Sequence, residues 1–553
     1  MRKALFLAAA CWTLAGCQHQ WPLQETPRQG KFIDGPRARP LTMQPKAANP
    51  WLNNAVVDSL AGTAEDDQVR GFGKIDLSSQ MAQVDSFQAE QLRAYCEGVL
   101  ARLLAQWPYP RPDIRVRFSA SESFGARATL DNDIYLNLGT LQAIESEDEL
   151  AAILGHEAAH LLLGHLDRDH FFNQQKKLVD ASVTAVNLAV TLGNLESQKT
   201  GDTRKLVLGN PEVVGKTLLQ STVSGTLMKE VSDNFWNSSW TRAQEDEADL
   251  LSVDLLSRAG YSPRGAVYGV QRLGSFEGVR ESQLKRYHAQ QEQLFDEAFK
   301  TKGLGGVLEQ GIESSLTSTQ LALTDLWDEF GKTHQLPAQR ERELTRYIAT
   351  EYRSERRRRP QVGSYQQHLL GGESGRILAG HVLINRAGKA LDEGDLGKAR
   401  QLAGEVAQGP IRNSLRAQTL QFVLAVQQGR HKEALSGLEQ VPESEWQLAS
   451  LTSYDQIISL SMSLDRADQA ERYLQKGKAA WGPELMAPLE IMVRLRDDRV
   501  EQAQQAYQVC QGSKSKGLLA QCESAIGAHK PQQPKFDPLK QLGIPGLGQL
   551  TGS

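Results

Sequence analysis

The sequence predicts an α+β, mostly helical chain, in which a domain with a small sheet is followed by an α-solenoid. Three observations carry this expectation. Ile114-Arg115-Val116-Arg117-Phe118 and Ile134-Tyr135-Leu136-Asn137-Leu138 alternate with period two, as half-buried strands do. From Ser146 to about Tyr352 the chain reads as helix with loops. Beyond Gly371-Gly372-Glu373-Ser374-Gly375 a pattern repeats, with Ala399, Ala434, Ala470 and Ala503 falling 35, 36 and 33 residues apart. A chain of 553 residues exceeds one core and suggests two to four domains.

Taken in order, Arg2 and Lys3 precede an apolar run from Ala4 to Ala15, then Gly16 and Cys17. The run is too short to span a bilayer as a stable helix and reads as an export signal, residues 1–17. Leu14-Ala15-Gly16-Cys17 resembles a bacterial lipobox, which implies cleavage before Cys17 and acylation of its thiol. An ordinary secretory signal with a chance cysteine is the alternative. Gln18, rather than Asp, favours the outer membrane by analogy with lipoprotein sorting, so the expected location is its periplasmic face. Residues 18–85, rich in Pro, Gly, Gln and Asn, read as a tether with little core of its own.

Phe87, Leu92, Tyr95, Val99 and Leu103 predict a helix up to Trp107, stopped by Pro108, Pro110 and Pro112. The stretch from Leu178 to Leu195 is apolar but holds Asp180 and Asn187, so it reads as a buried or amphipathic helix before a membrane span. The expected divisions are a catalytic-type domain over 86–352, a linker over 353–376, helical repeats over 377–528 and a disordered tail over 529–553. Each repeat alanine closes a turn. Ala387, Phe422, Ile458 and Ile491 lie twelve positions before them, and Ala403, Leu438, Leu474 and Tyr507 four after. A small residue where two helices cross, at this period, resembles a tetratricopeptide repeat; chance helical hairpins are the alternative.

Charge excludes one class of function. With 62 Lys and Arg against 66 Asp and Glu, a net −4 gives no electrostatic case for nucleic acid. The stretch from Arg353 to Arg359 is short and interrupted. It reads as a solvated helix end, with a lipid-headgroup or RNA role as the alternative. Of five cysteines, Cys510 and Cys522 flank Gly512 and Gly517 and are expected to form a disulfide in an oxidising periplasm, while Cys96 reads as a buried thiol.

His156-Glu157-Ala158-Ala159-His160 is the chemical centre of the sequence. On a helix, positions i and i+4 share a face, so both imidazoles can reach one metal, with Glu157 near enough to take a proton from water. Ser146 and Glu149 offer a capping box, and flanking leucines bury the helix. A catalytic zinc takes three protein ligands, so a third is required. Glu245 is the candidate and Glu247 the alternative; Asp249, one turn beyond Glu245, is placed to orient a ligand imidazole. His165 lies half a turn round from His156 and reads as a packed, hydrogen-bonded histidine rather than a ligand.

The His156–His160 motif with His165, Arg242 before Glu245-Asp246-Glu247-Ala248-Asp249, and Ala259-Gly260-Tyr261-Ser262-Pro263 resemble the HtpX/BepA-type gluzincin metallopeptidases. The resemblance covers roughly residues 87 to 350, and a protease followed by repeats resembles the BepA branch in particular. It implies His156, His160 and Glu245 on one Zn2+, Glu157 as general base and Asp249 supporting a ligand. Thr333-His334 and Arg340 match a further signature. This implies that His334 is a reversible fourth ligand or a transition-state donor, with Arg340 beside the site. Gln335 departs from the signature proline, and Gly125-Ala126 stands where the family carries Asn-Ala, which puts substrate positioning in doubt.

The resemblance thus leads one to expect a zinc metalloendopeptidase acting on unfolded or misassembled envelope proteins. An extended substrate would pair with an edge strand at Ile134 to Leu138, and the repeats would bind partners such as the outer-membrane assembly machinery. A non-proteolytic assembly factor or chaperone, acting through its repeats with a latent or structural zinc, is the competing expectation.

Overall fold

The computed structural model describes residues 30–40, 86–129, 131–165, 195–200, 203–208, 242–275, 337–512 and 516–527. The two alternating runs become parallel neighbours, β2 (Arg115–Ser119) and β4 (Asp133–Asn137). β1 (Ser86–Phe87) adds antiparallel to β2, and β3 (Ala126–Ala128) antiparallel to β4, in the order β1-β2-β4-β3. Residues 134–137 are therefore interior to the sheet and Leu138 opens the next helix, which corrects the expectation of an edge there; the edges are β1 and β3. A three-residue strand is too short to show alternation in sequence.

Helix α1 (Glu90–Leu104) buries Leu92, Cys96, Val99, Leu100 and Leu103 at helical spacing. It begins after Phe87 because that residue is already in β1. After the short α2 (Leu138–Ala143) comes α3 (Glu147–Leu163), which carries the histidine motif. α4 (Arg242–Arg258) and α5 (Pro337–Glu351) complete the domain with a helical run over 264–275. Helix is not all that lies between Ser146 and Tyr352. β5 (Leu195–Thr200) and β6 (Thr203–Leu208) form an antiparallel hairpin whose register leaves Gly201-Asp202 as a two-residue connection, a hairpin signal readable in the sequence. The apolar stretch from Leu178 lies outside the described residues up to Leu195, which opens β5.

Two segments expected to be connectors are folded. In residues 30–40, Phe32, Ile33 and Ala38 join the core of the sheet-bearing domain. In residues 353–376, α6 (Val362–Leu370) buries Tyr365 and Leu369, and the Tyr365 hydroxyl donates to Leu141 O at 2.7 Å. Short apolar groups spaced among polar ones give no periodic signal, so composition alone misreads both.

α7 (Gly372–Asp392) then starts a series of antiparallel helix pairs: α7 with α8 (Leu396–Gln408), and α9 (Leu415–Gln427) with α10 (His431–Glu439). After the four-residue α11 (Glu443–Trp446) follow α12 (Leu451–Ser463), α13 (Ala467–Arg496), α14 (Val500–Gly512) and α15 (Lys516–Gly527). α13 breaks at Gly482 (φ +80°) before Pro483, so its halves serve successive pairs. The period appears in the backbone: Gly394, Gly429, Asp465 and Asp498 are left-handed, each in the turn five residues before a repeat alanine. Glycine and aspartate tolerate that conformation. All four alanines are buried. Cys510 and Cys522 are joined by a disulfide, with Cα atoms 6.5 Å apart. Among the described residues, no helix is long and apolar enough to cross a membrane.

Candidate metal centre

The site begins with how α3 is held. Ser146 Oγ accepts from Glu149 N and donates to Glu149 Oε1, capping the helix. Three consecutive acids in its first turn pin four different segments. Glu147 accepts from the Tyr95 and Tyr261 hydroxyls, Asp148 from Ser262 N and Gln361 N, and Glu149 from Arg272. The helix ends at Gly164 (φ +70°), a left-handed cap whose N–H meets the carbonyls of His160 and Leu161.

Close packing brings the second helix in. A Cβ at Gly155 would lie 3.0 Å from Ser252 Oγ and 3.3 Å from Leu256 Cδ1, so the bare backbone beside His156 lets α4 approach. Ser252 Oγ donates across the contact to Ala152 O at 2.9 Å. This crossing sets Glu245 and Asp249 against the two histidines.

His156 Nε2 and His160 Nε2 are 3.3 Å apart, and Glu245 reaches them at 3.5 and 3.7 Å. Ligands about 2.0–2.1 Å from a tetrahedral zinc stand about 3.3 Å from one another. Two imidazoles and one carboxylate at this spacing therefore fit the ion. Asp249 Oδ1 lies 3.0 Å from His156 Nδ1. Arg340, on α5, grips both Asp249 oxygens at 2.8 and 2.9 Å and lies 3.2 Å from Glu245. Glu157 is buried, and its Oε2 accepts from Ala128 N on β3 at 2.8 Å.

The electrostatics follow from burial among charges. Burial disfavours charge on His156, but Asp249 and Glu245 outweigh it and push the imidazole up to about 10. Burial and His156 hold His160 well below its usual range. Burial would raise Glu245 and Asp249, yet Arg340 and then His156 keep both low. Glu157 is lifted by burial, against the pull of His156, to about 7.

Glu247 turns the other way. It lies 3.4 Å from His165 Nε2 and 3.4 Å from Arg37, and His165 Nδ1 lies 3.0 Å from His160 Nδ1. The chain leaves the helix after Leu163, so His165 curls behind His160 instead of continuing round the cylinder. Arg37, in a stretch read as tether, carries no local signal of this contact. His334 and Cys17 lie outside the described residues.

Residues 89–348 match the model of Peptidase family M48. A beta-barrel assembly-enhancing protease of Yersinia pestis is 24% identical over 215 residues, 39% of this chain and 39% of the relative. Metalloprotease LoiP of Escherichia coli (strain K12) is 26% identical over 144 residues, 26% of this chain and 45% of the relative. A putative beta-barrel assembly-enhancing protease of Vibrio cholerae is 26% identical over 176 residues, 31% and 30% of the two chains. The matches thus span less than half the length of each of these relatives.

Proposed function

We infer that this chain, whose residues 89–348 belong to peptidase family M48, is a zinc metalloendopeptidase of the bacterial envelope. The observation that carries the reading is the convergence of His156, His160 and Glu245, with candidate ligand atoms all within 4.8 Å of one another, beside buried Glu157. His156, His160 and Glu245 would hold the ion, which supplies a Lewis acid that polarises the scissile carbonyl and acidifies water. Glu157 takes the proton from water and passes it to the leaving nitrogen. Asp249 holds His156 by its Nδ1, and Arg340 holds Asp249.

Substrate backbone adds to β3. Thr129 N donates to Asp133 O and Asn137 N to Gly125 O, so residues 125, 127 and 129 serve β4 while the backbone of Ala126 and the Ala128 carbonyl turn away from it, the Ala128 N–H being held by Glu157. An unfolded or misassembled envelope protein can lie along that edge as an extended strand. The names of the relatives motivate this class of substrate, and the tetratricopeptide-like pairs offer a surface for such partners or for the outer-membrane assembly machinery. His334 acts as a reversible fourth ligand, and acylated Cys17 anchors the protein to the periplasmic face of the outer membrane.

Glu157→Gln tests the reading. Bound zinc, measured by mass spectrometry, should remain at about one per chain while cleavage of an unfolded outer-membrane protein is lost. Undiminished cleavage would sink the mechanism. Full complementation of a deletion strain by the inactive variant would favour a non-proteolytic assembly factor.

A further inference from the structure

The charged turn that follows α5 has no part in the metal centre. Arg353, Arg356, Arg357 and Arg359 are all exposed, while Arg358 turns inward and donates to the carbonyls of Ser257 and Tyr261 at 2.7 and 2.8 Å. None of the four exposed arginines has a carboxylate partner among the described residues, and the adjoining acids are engaged elsewhere. Glu355 accepts from Ser354 Oγ and lies in the field of Arg358 and Lys31, and Glu351 accepts from Gly30 N at 3.3 Å.

That last bond locates the turn relative to the N-terminal end of the chain. Residues 30–40 are clamped to the domain: Ile33 N donates to Asp254 Oδ2 at 2.7 Å, and Phe32 N to the Tyr347 hydroxyl at 2.7 Å. Lys31 Nζ stands 4.6 Å over the Tyr352 ring. The docked segment therefore meets the lipidation candidate's side of the chain at Gly30, beside Glu351 and Tyr352 and next to Arg353. Gly30 lies thirteen positions after Cys17. Such a length reaches about 45 Å when fully extended, and a flexible one averages about 20 Å end to end. An acyl group on Cys17 would hold this turn within that range of a bilayer.

The rest of the site points away. α4 and α5 both carry their metal-centre residues, Glu245 and Arg340, near their N-terminal ends and their contacts with residues 30–34 near their C-terminal ends. At 1.5 Å per residue, Glu245 lies about 20 Å along α4 from Arg258.

We propose that residues 353–359, with Lys31, are a membrane-facing surface that binds the phosphate headgroups of anionic phospholipids and leaves the metal centre toward the opposite ends of α4 and α5. Guanidinium groups pair with phosphate oxygens by two parallel hydrogen bonds, and a basic residue near an anionic surface is worth roughly fivefold in association. The inference rests on the anchor at Cys17 in the reading above.

The test uses the lipidated full chain with Ser354→Cys labelled by an environment-sensitive fluorophore. It is reconstituted into vesicles of phosphatidylcholine alone or with phosphatidylglycerol. The expected result is a blue shift with phosphatidylglycerol only, reversed by high salt. The shift should vanish in a chain also carrying R353Q, R356Q, R357Q and R359Q that keeps its zinc and its melting midpoint. No shift on either vesicle, or an equal shift on both, would overturn headgroup binding. The same shift with inorganic phosphate and no vesicles would make this a soluble-phosphate site and overturn the lipid assignment. Zinc content of the same sample tests the peptidase reading separately, and the mass of the N-terminal peptide tests the anchor.

Discussion

The two candidate histidine ligands are supported by different chemistries. His156 presents Nδ1 to the carboxylate of Asp249, whereas His160 presents Nδ1 to another imidazole, His165. With Nε2 of His160 given to an ion, its Nδ1 must carry the proton and donate it to His165 Nδ1. His165 then holds its own proton on Nε2, toward Glu247 at 3.4 Å. Because such supporting partners typically change metal affinity by about 10–100-fold, His165→Phe should weaken zinc binding in that range while leaving the fold intact. Competition with a chelator checks this, and unchanged affinity would remove His165 from the site. Arg37 lies at the far end of the same chain with its side chain 47% exposed, so its pair with Glu247 should contribute only ~0–1 kcal/mol.

Within single elements, the helix pairs owe their crossings to small residues and owe one weakness to a buried acid. Asp455, on α12, is buried and accepts from Ser459 Oγ at 2.9 Å; burial, opposed by that bond, lifts its carboxyl to about 6. Between roughly pH 4 and 6 the folded helix keeps a proton that the unfolded chain has released. Stability therefore falls as pH rises through that window, by about 3 kcal/mol at most. Asp455→Asn should flatten this slope and be the more stable chain at pH 7, as urea unfolding at pH 4 and pH 7 would show. Equal slopes in the two chains would mean that Asp455 is solvated and ionised. The period of these pairs was legible because each turn repeats a left-handed Gly or Asp five residues before a buried alanine. The β5–β6 hairpin was missed although its Gly-Asp connection is a local signal, because the surrounding helical pattern outweighed it.

For the whole molecule, the segment ahead of the domain is part of the body. Asp254 accepts from Ile33 N and from the hydroxyls of Tyr347 and Tyr352, so a single buried carboxylate ties residues 30–40, α4 and the end of α5 together. Ile33 is 2% exposed. Ile33→Ala should cost about 2–5 kcal/mol of stability, the usual range for truncating a buried isoleucine. Calorimetry on the full chain would show it as a lower midpoint, whereas a mere tether would leave the midpoint unchanged.

The sequence by itself determined what short range can encode. Histidines four apart share a helix face, Ser146 caps that helix, alternating runs become strands, and a recurring alanine fits a helix crossing. It also nominated Glu245 and Asp249, one turn apart on α4. Only the tertiary structure decided that Glu245 rather than Glu247 meets the imidazoles, since the choice depends on how α4 rotates against Gly155. Packing likewise made β3 an edge, curled His165 behind His160, brought Arg340 onto Asp249 from ninety-one residues away, and folded residues 30–40 and 362–370 onto the domain. These outcomes depend on contacts between segments distant in the chain, whose partners leave no periodic trace in either segment alone.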